Sequence, residues 1–161
     1  RRANIATLLT GPPSDRTLVS KMIKDFVSQK GTRIVCGGTT SHLVADYLNE
    51  ELQMDERFLD SDLPPSAKLL GIDLVTEGIL TLSRAAQYLK SGIPEGRQDA
   101  ATVLLDFLLA ADGIRFMVGT ARNPAHQNIS LPDSVSLRRR VVEDLSALLV
   151  ERGKETVLVY Y

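Results

Sequence analysis

The stretch TRIVCGGTTSHLVADYLNEEL, residues 32–52, decides the fold of this chain. Residues 33–36 form a short β-branched run, which is typical of a buried strand in a parallel sheet. Gly37 and Gly38 end that strand, because glycine allows a sharp turn and a close approach of backbone to a ligand. Hydroxyl residues follow, and apolar residues then recur at helical spacing. The stretch therefore predicts a strand, a glycine turn and a helix in succession.

A unit of this kind is suited to holding an anion. It directs free backbone N–H groups and the positive end of a helix dipole at whatever lies above the strand. The hydroxyls of Thr39 and Thr40 stand where further donors are useful. The alternative is a tight turn with a helix cap and no ligand. Gly-Gly-Thr-Thr is neither a Walker A motif nor a complete dinucleotide-binding fingerprint, so both interpretations stay open.

The composition is that of an ordinary globular protein, with 161 residues, 43% hydrophobic and 24% charged. A net charge of −1 gives no electrostatic footprint for nucleic acid or an anionic membrane, and we expect neither as a partner. The single cysteine, Cys36, excludes an internal disulfide and suits a reducing compartment, so we expect a cytoplasmic protein. The chain opens at Arg1 without methionine. This start favours a fragment cut from a longer polypeptide, and the length of 161 residues fits one domain.

Four further buried strands are predicted at residues 5–9, 72–75, 114–118 and 157–160, with helices between them. Ser14 or Asp15 is expected to cap the first helix. Residues 53–71 read as a surface excursion with a short strand near 68–70. Strands that alternate with helices predict a mostly parallel sheet of about five strands, covered on both faces. The predicted class is α/β, a three-layer Rossmann-like or flavodoxin-like domain.

In such sheets ligands bind beyond the carboxyl ends of the strands, at the switch in strand order. Four polar segments follow predicted strands, at residues 10–11, 37–40, 76–78 and 122–126. We call them strand exits, and each is a candidate to line that crevice. The candidate ligand-binding residues are Thr10, Gly11, Gly37, Gly38, Thr39, Thr40, Thr76, Glu77, Arg122, Asn123 and His126. Arg122 is the natural countercharge for an anion. No catalytic and no metal-ligating residue is assigned.

Other side chains allow more than one chemistry. Cys36 precedes a helix start, where a thiolate is stabilised, but a buried and inert thiol is the commoner case. Glu77 suits a ribose hydroxyl or a cation, or it only favours the start of a helix. His126 is a better general base than His42, which is expected on the surface. The three arginines at 138–140 are expected to be spread around a helix.

Several stretches together resemble one protein family: LLTGPPSD (8–15), IVCGGTTSHLVADYL (34–48), GIDLVTEGILTL (71–82), FMVGTARNPAHQN (116–128) and RGKETVLVYY (152–161). They are similar to the C-terminal extension of bacterial phosphatases of the stage II sporulation protein E type. In that family a metal-dependent serine/threonine phosphatase domain precedes the extension, which implies that domain as a partner. The resemblance covers essentially the whole chain.

The resemblance does not make this segment a phosphatase. The family holds its manganese or magnesium ions with aspartates in Asp-Gly and Gly-Asp-Asp motifs. Here the sole Asp-Gly is Asp112-Gly113, and no Asp-Asp pair occurs. No phosphatase residue is carried over, and no cofactor is expected in this segment.

The leading hypothesis is a non-catalytic regulatory or ligand-sensing domain of a phosphatase-like signalling protein, binding a small anionic or phosphorylated molecule at the strand ends. One alternative is a small stand-alone enzyme with His126 and Glu77 as acid and base. Another is a protein-docking module without a ligand.

Overall fold

The computed structural model describes residues 3–59, 61–121 and 134–161, with the backbone alone for residues 134–136. The strands are β1 (Ile5–Thr10), β2 (Thr32–Cys36), β3 (Gln53–Met54), β4 (Ala67–Leu69), β5 (Ile72–Thr76), β6 (Gly113–Val118) and β7 (Glu155–Tyr160). The helices are α1 (Val19–Val27), α2 (Gly38–Leu48), α3 (Ile79–Ser91), α4 (Ala100–Ala110) and α5 (Ser134–Glu151).

The strands form one mixed, mostly parallel sheet in the order β3-β4-β5-β2-β1-β6-β7. The five strands from β5 to β7 in this order are parallel to one another, whereas β4 pairs antiparallel with both β5 and β3. The parallel strands run third, second, first, fourth, fifth along the chain, which is consistent with a Rossmann-like sheet and differs from the flavodoxin-like order. The switch in strand order therefore lies between β1 and β6.

All five predicted strands are present and parallel, but the expectation of about five strands is wrong, since the sheet has seven. The strand predicted near residues 68–70 is β4 and belongs to this sheet. The strand β3 was not predicted. It is two residues long and β4 is three, so neither contains enough alternation to show a period. Their place in the sheet comes from pairing beside β5.

The sheet is covered on both faces, as the apolar runs predict. Successive residues of a strand point to opposite faces. Leu9 and Val35 pack with α1 and α2, whose buried residues include Met22, Phe26 and Val44. On the other face, the buried residues of the sheet and of α3, α4 and α5 include Leu8, Ile34, Leu82, Leu104 and Leu145.

The helix starts follow from local capping. Asp15 accepts hydrogen bonds from the Thr17 amide at 2.9 Å and the Thr17 hydroxyl at 2.7 Å, which confirms it as the cap of the turn leading into α1. Asp99 and Thr102 form a reciprocal capping box at the start of α4. Neither β2 nor β5 is followed by a side-chain cap of this kind, since Gly37 and Gly78 stand at those positions.

None of the described helices combines the length and the apolarity that crossing a membrane requires.

Candidate functional site

The exits of β1 and β6, on either side of the switch in strand order, are in backbone contact. The Gly119 amide donates to the Thr10 carbonyl at 2.8 Å, and the Ala121 amide donates to the Pro12 carbonyl at 3.1 Å. A Cβ at Gly119 would overlap the carbonyl oxygens of Gly11 and Pro12. Only glycine fits at position 119, so the two exits pack backbone against backbone between β1 and β6.

A side chain joins the loop after β1 to the first turn of α2. The Gly11 amide donates to Thr40 Oγ1 at 2.9 Å, and Thr40 is 1% exposed. Gly11 itself has a φ of +86°, which favours glycine. The fold thus brings the predicted residues Thr10, Gly11 and Thr40 together. The Thr40 hydroxyl serves as an acceptor within the protein, which is a structural role that the sequence did not indicate.

The exits of β2 and β5 touch through two glycines. The Gly37 amide donates to the Thr76 carbonyl at 3.0 Å. A Cβ at Gly78 would lie 3.2 Å from Gly37 Cα, which is closer than side chains normally tolerate. Gly37 and Gly78 have φ values of +129° and +137°, which L side chains rarely adopt. The helices α2 and α3 therefore begin side by side, so that two helix N-termini meet at one edge of the sheet.

The start of α2 is open to solvent. Gly38 and Thr39 are exposed, and no described atom lies within 4 Å of the place where a Cβ of Gly38 would stand. The preceding residue, Gly37, provides no side-chain hydrogen bond to the first amides of the helix. Those N–H groups lack intrahelical partners by geometry and remain for water or a ligand. The described residues therefore do not close the predicted anion site.

A guanidinium covers the exit of β1. Arg138 Nη1, on α5, donates to the Gly119 carbonyl at 2.8 Å. Three guanidinium atoms lie 2.5–2.8 Å from where a Cβ of Gly11 would stand, so the glycine makes room for the arginine. Burial lowers the pKa of Arg138 from its ordinary, very high value, and the guanidinium keeps its charge at neutral pH. A positive charge thus lies against the switch in strand order.

Sequence reasoning did not single out Arg138, although a signal was present. Val142, Leu145 and Leu149 are fully buried, and Arg138 lies four residues before Val142 and seven before Leu145. That spacing puts Arg138 on the same stripe of α5, the one that faces the sheet. Arg139 and Arg140 are exposed, so the three arginines lie on different sides of the helix, as expected.

The carboxylate of Glu77, directly after β5, is incompletely hydrogen-bonded. Its Oε1 accepts a long hydrogen bond of 3.4 Å from the Leu80 amide, while Oε2 is buried without a described partner. Burial raises the pKa of Glu77, and the Leu80 amide opposes that shift. The Thr81 hydroxyl, on a residue that is 0% exposed, also lacks a described partner, whereas Thr76 is paired in register with Cys36 and its hydroxyl opposes the rise in the pKa of the thiol. Buried polar groups are nearly always satisfied, so the second carboxylate oxygen of Glu77 is suited to a ligand atom or a water molecule.

The structure places Cys36 in the core and His42 on the surface. Cys36 is fully buried, and burial raises the pKa of its thiol to about 12. The thiolate is the reactive form, so this cysteine is inert at neutral pH. His42 is exposed on α2, as expected. Among the described residues, no three His, Cys, Asp or Glu side chains are grouped closely enough to hold a metal ion.

Three predicted site residues, Arg122, Asn123 and His126, lie outside the described residues. Their place beside the other exits stays a prediction, as does the role of Arg122 as countercharge. Of the remaining candidates, the contacts above connect Thr10, Gly11, Gly37, Thr40 and Thr76, and Gly38, Thr39 and Glu77 adjoin them in the chain.

An open groove of about 1120 Å³, beside Asp62 and Arg97, is lined by none of the candidate ligand-binding residues that the structure describes. Its charged groups satisfy one another. The Asp62 carboxylate accepts from Arg84 at 2.7 Å and from Arg97 at 3.2 Å. Buried Asp99 accepts from Tyr88 Oη at 2.5 Å and caps α4. This network holds the 55–66 segment against α3, and we interpret the groove as structural.

Comparison of the chain with family models, with curated proteins and with solved structures gives no match. The resemblance to the phosphatase extension therefore stays a prediction from the sequence.

Proposed function

We propose that this chain is a non-catalytic regulatory or ligand-sensing domain that binds a small anionic or phosphorylated molecule at the carboxyl ends of its parallel strands. Binding an anion in this way requires exposed amides at a helix start, backbone that permits close approach, and a positive charge.

One observation supports the proposal most, the packing of Arg138 on Gly11 beside the switch in strand order. It supplies the charge that backbone amides alone do not. A helix dipole contributes about 0.3–1 kcal/mol at an exposed site, whereas a hydrogen bond to a charged group contributes about 1.5–3 kcal/mol. The open start of α2 at Gly38 and Thr39 provides amide donors at the neighbouring exit. The proposal extends the sequence prediction by a second arginine, alongside Arg122.

The finer parts of the proposal rest on the sequence. We propose a Rossmann-like domain that serves a cytoplasmic signalling protein of the stage II sporulation protein E type, with its metal-dependent phosphatase domain as the partner. Ligand binding at the strand exits would then be communicated to that partner.

Calorimetric titration with inorganic phosphate tests the proposal. The wild-type chain is expected to bind phosphate, and Arg138→Gln is expected to weaken binding roughly 10- to 150-fold, the loss that corresponds to one charge-assisted hydrogen bond. Arg140→Gln, an exposed arginine of the same helix, is the matched control and should leave binding unchanged. Absence of binding by the wild type, or equal effects of the two variants, contradicts the proposal.

The stand-alone enzyme that uses His126 and Glu77 is favoured by one observation, the raised pKa of Glu77, because catalytic carboxyls are often perturbed in this direction. Turnover of a phosphate or sugar substrate that is lost in Glu77→Gln would favour it over the sensing domain.

A further inference from the structure

A positively charged group and a carboxylate lie at two different strand exits. Arg138 lies over the exit of β1, next to β6. Glu77 follows β5, which is separated from β1 by β2. Neighbouring strands lie 4.7–4.9 Å apart, so two spacings give a gap of about 10 Å along the edge of the sheet. The exposed amides of Gly38 and Thr39 lie between these places, at the exit of β2.

The Glu77 end is unsuited to an anion and suited to a hydroxyl. Its carboxylate has one oxygen in a long hydrogen bond and one buried without a described partner. Glu77 as a whole is only partly buried, so its carboxylate lies at the boundary between core and solvent. An ionised carboxylate only accepts hydrogen bonds, so it calls for a ligand group that donates them. A neutral sugar hydroxyl donates, whereas a phosphate dianion would be repelled.

We propose that the ligand of this site is a sugar phosphate, with its phosphate between Arg138 and the start of α2 and its hydroxyl groups on Glu77. The inference rests on the proposed function and deepens it by naming the class of ligand. A five-carbon sugar esterified at one end extends over much of the gap of about 10 Å between the two places, whereas inorganic phosphate reaches only one of them.

Calorimetric titrations with three probes separate the two ends of the site: inorganic phosphate, ribose 5-phosphate and ribose. The wild-type chain is expected to bind ribose 5-phosphate about tenfold or more tightly than phosphate. Glu77→Gln should remove most of that difference and leave phosphate binding unchanged or slightly stronger, because a negative charge is gone. Glu151→Gln, an exposed glutamate at the far end of α5, is the matched control.

The outcomes distinguish the inference from the function on which it rests. If phosphate and ribose 5-phosphate bind equally, the sugar-phosphate inference is wrong and anion binding stands. If ribose 5-phosphate binds more tightly but Glu77→Gln has no effect, the assignment of Glu77 is wrong. If neither phosphate compound binds, the proposed function fails and the inference fails with it. Binding of ribose alone as tightly as ribose 5-phosphate would contradict the role of Arg138 as the charge that holds the phosphate, and with it the proposed function.

Discussion

The Gly11 amide donates a 2.9 Å hydrogen bond to Thr40 Oγ1, and this single contact joins the exit of β1 to the first turn of α2. Gly11 belongs to the exit of β1, and Thr40 belongs to the exit of the neighbouring strand β2. Because Arg138 packs on Gly11 and Gly37 lies next to Thr40, the contact also sets the distance between the charged and the amide-rich parts of the site.

Thr40→Val is expected to destabilise the protein by about 1–3 kcal/mol, because it leaves the Gly11 amide buried without an acceptor. Urea unfolding measures the loss. Thr39→Val, at the exposed neighbouring residue, is the control and should change the free energy of unfolding by less than about 0.5 kcal/mol. Equal stability of the two variants would show that the Gly11–Thr40 contact does not hold the exits together.

Gly78→Ala is expected to destabilise the protein by more than about 1 kcal/mol. The added Cβ meets Gly37 Cα at 3.2 Å, and the φ of +137° is one that alanine rarely adopts. Gly38→Ala is the control, since its Cβ meets no described atom, and it should be neutral or slightly stabilising. Thermal unfolding compares the two. A Gly78→Ala variant as stable as Gly38→Ala would mean that the starts of α2 and α3 are not in contact.

Glu77→Gln should change the pH dependence of stability. The pKa of Glu77 is raised in the folded protein by burial, so folding favours its protonated form. That contribution is fully present below the unfolded pKa and is lost as pH rises through the folded pKa. The midpoint of thermal unfolding of Glu77→Gln, relative to wild type, is therefore expected to be higher at pH 7 than at pH 4. A difference that is constant between these pH values would show that the carboxyl is solvated like an ordinary glutamate.

Cys36 is expected to resist thiol reagents in the folded protein, because burial raises its pKa to about 12 and removes it from solvent. Labelling with iodoacetamide at pH 8 should be undetectable on the native chain and complete in denaturant. Rapid labelling of the native chain would show that the Cys36 thiol is accessible and reactive, contrary to this prediction.

The sequence predicted the parallel strands well because of how they are buried. Strands such as β1 and β2 are covered on both faces, so they must be continuous apolar runs, and such runs are visible in the chain. The edge strand β3 was missed because its two residues are defined by pairing with β4, and β4 was located near residues 68–70 without its place in the sheet. Local sequence contains little of that information.

The site was predictable only in part for a similar reason. The glycines at 11, 37 and 38 were identified from local turn chemistry, which the sequence shows directly. The contact of Gly37 with Gly78 depends on β2 and β5 being neighbours, which only the fold reveals. Arg138 could be found from its place on the buried stripe of α5, but its position over Gly11 required the strand order.

An amide-resolved NMR titration of the chain with inorganic phosphate tests the central claim most directly. Saturable shifts are expected, largest at the Gly38 and Thr39 amides and at the Arg138 side chain. Gly38→Val should remove them while leaving the rest of the spectrum and the folded sheet intact, because its side chain fills the space that the anion would occupy. Shifts that do not saturate, or that concentrate away from the exits of β1 and β2, would contradict the claim that this edge of the sheet binds an anion.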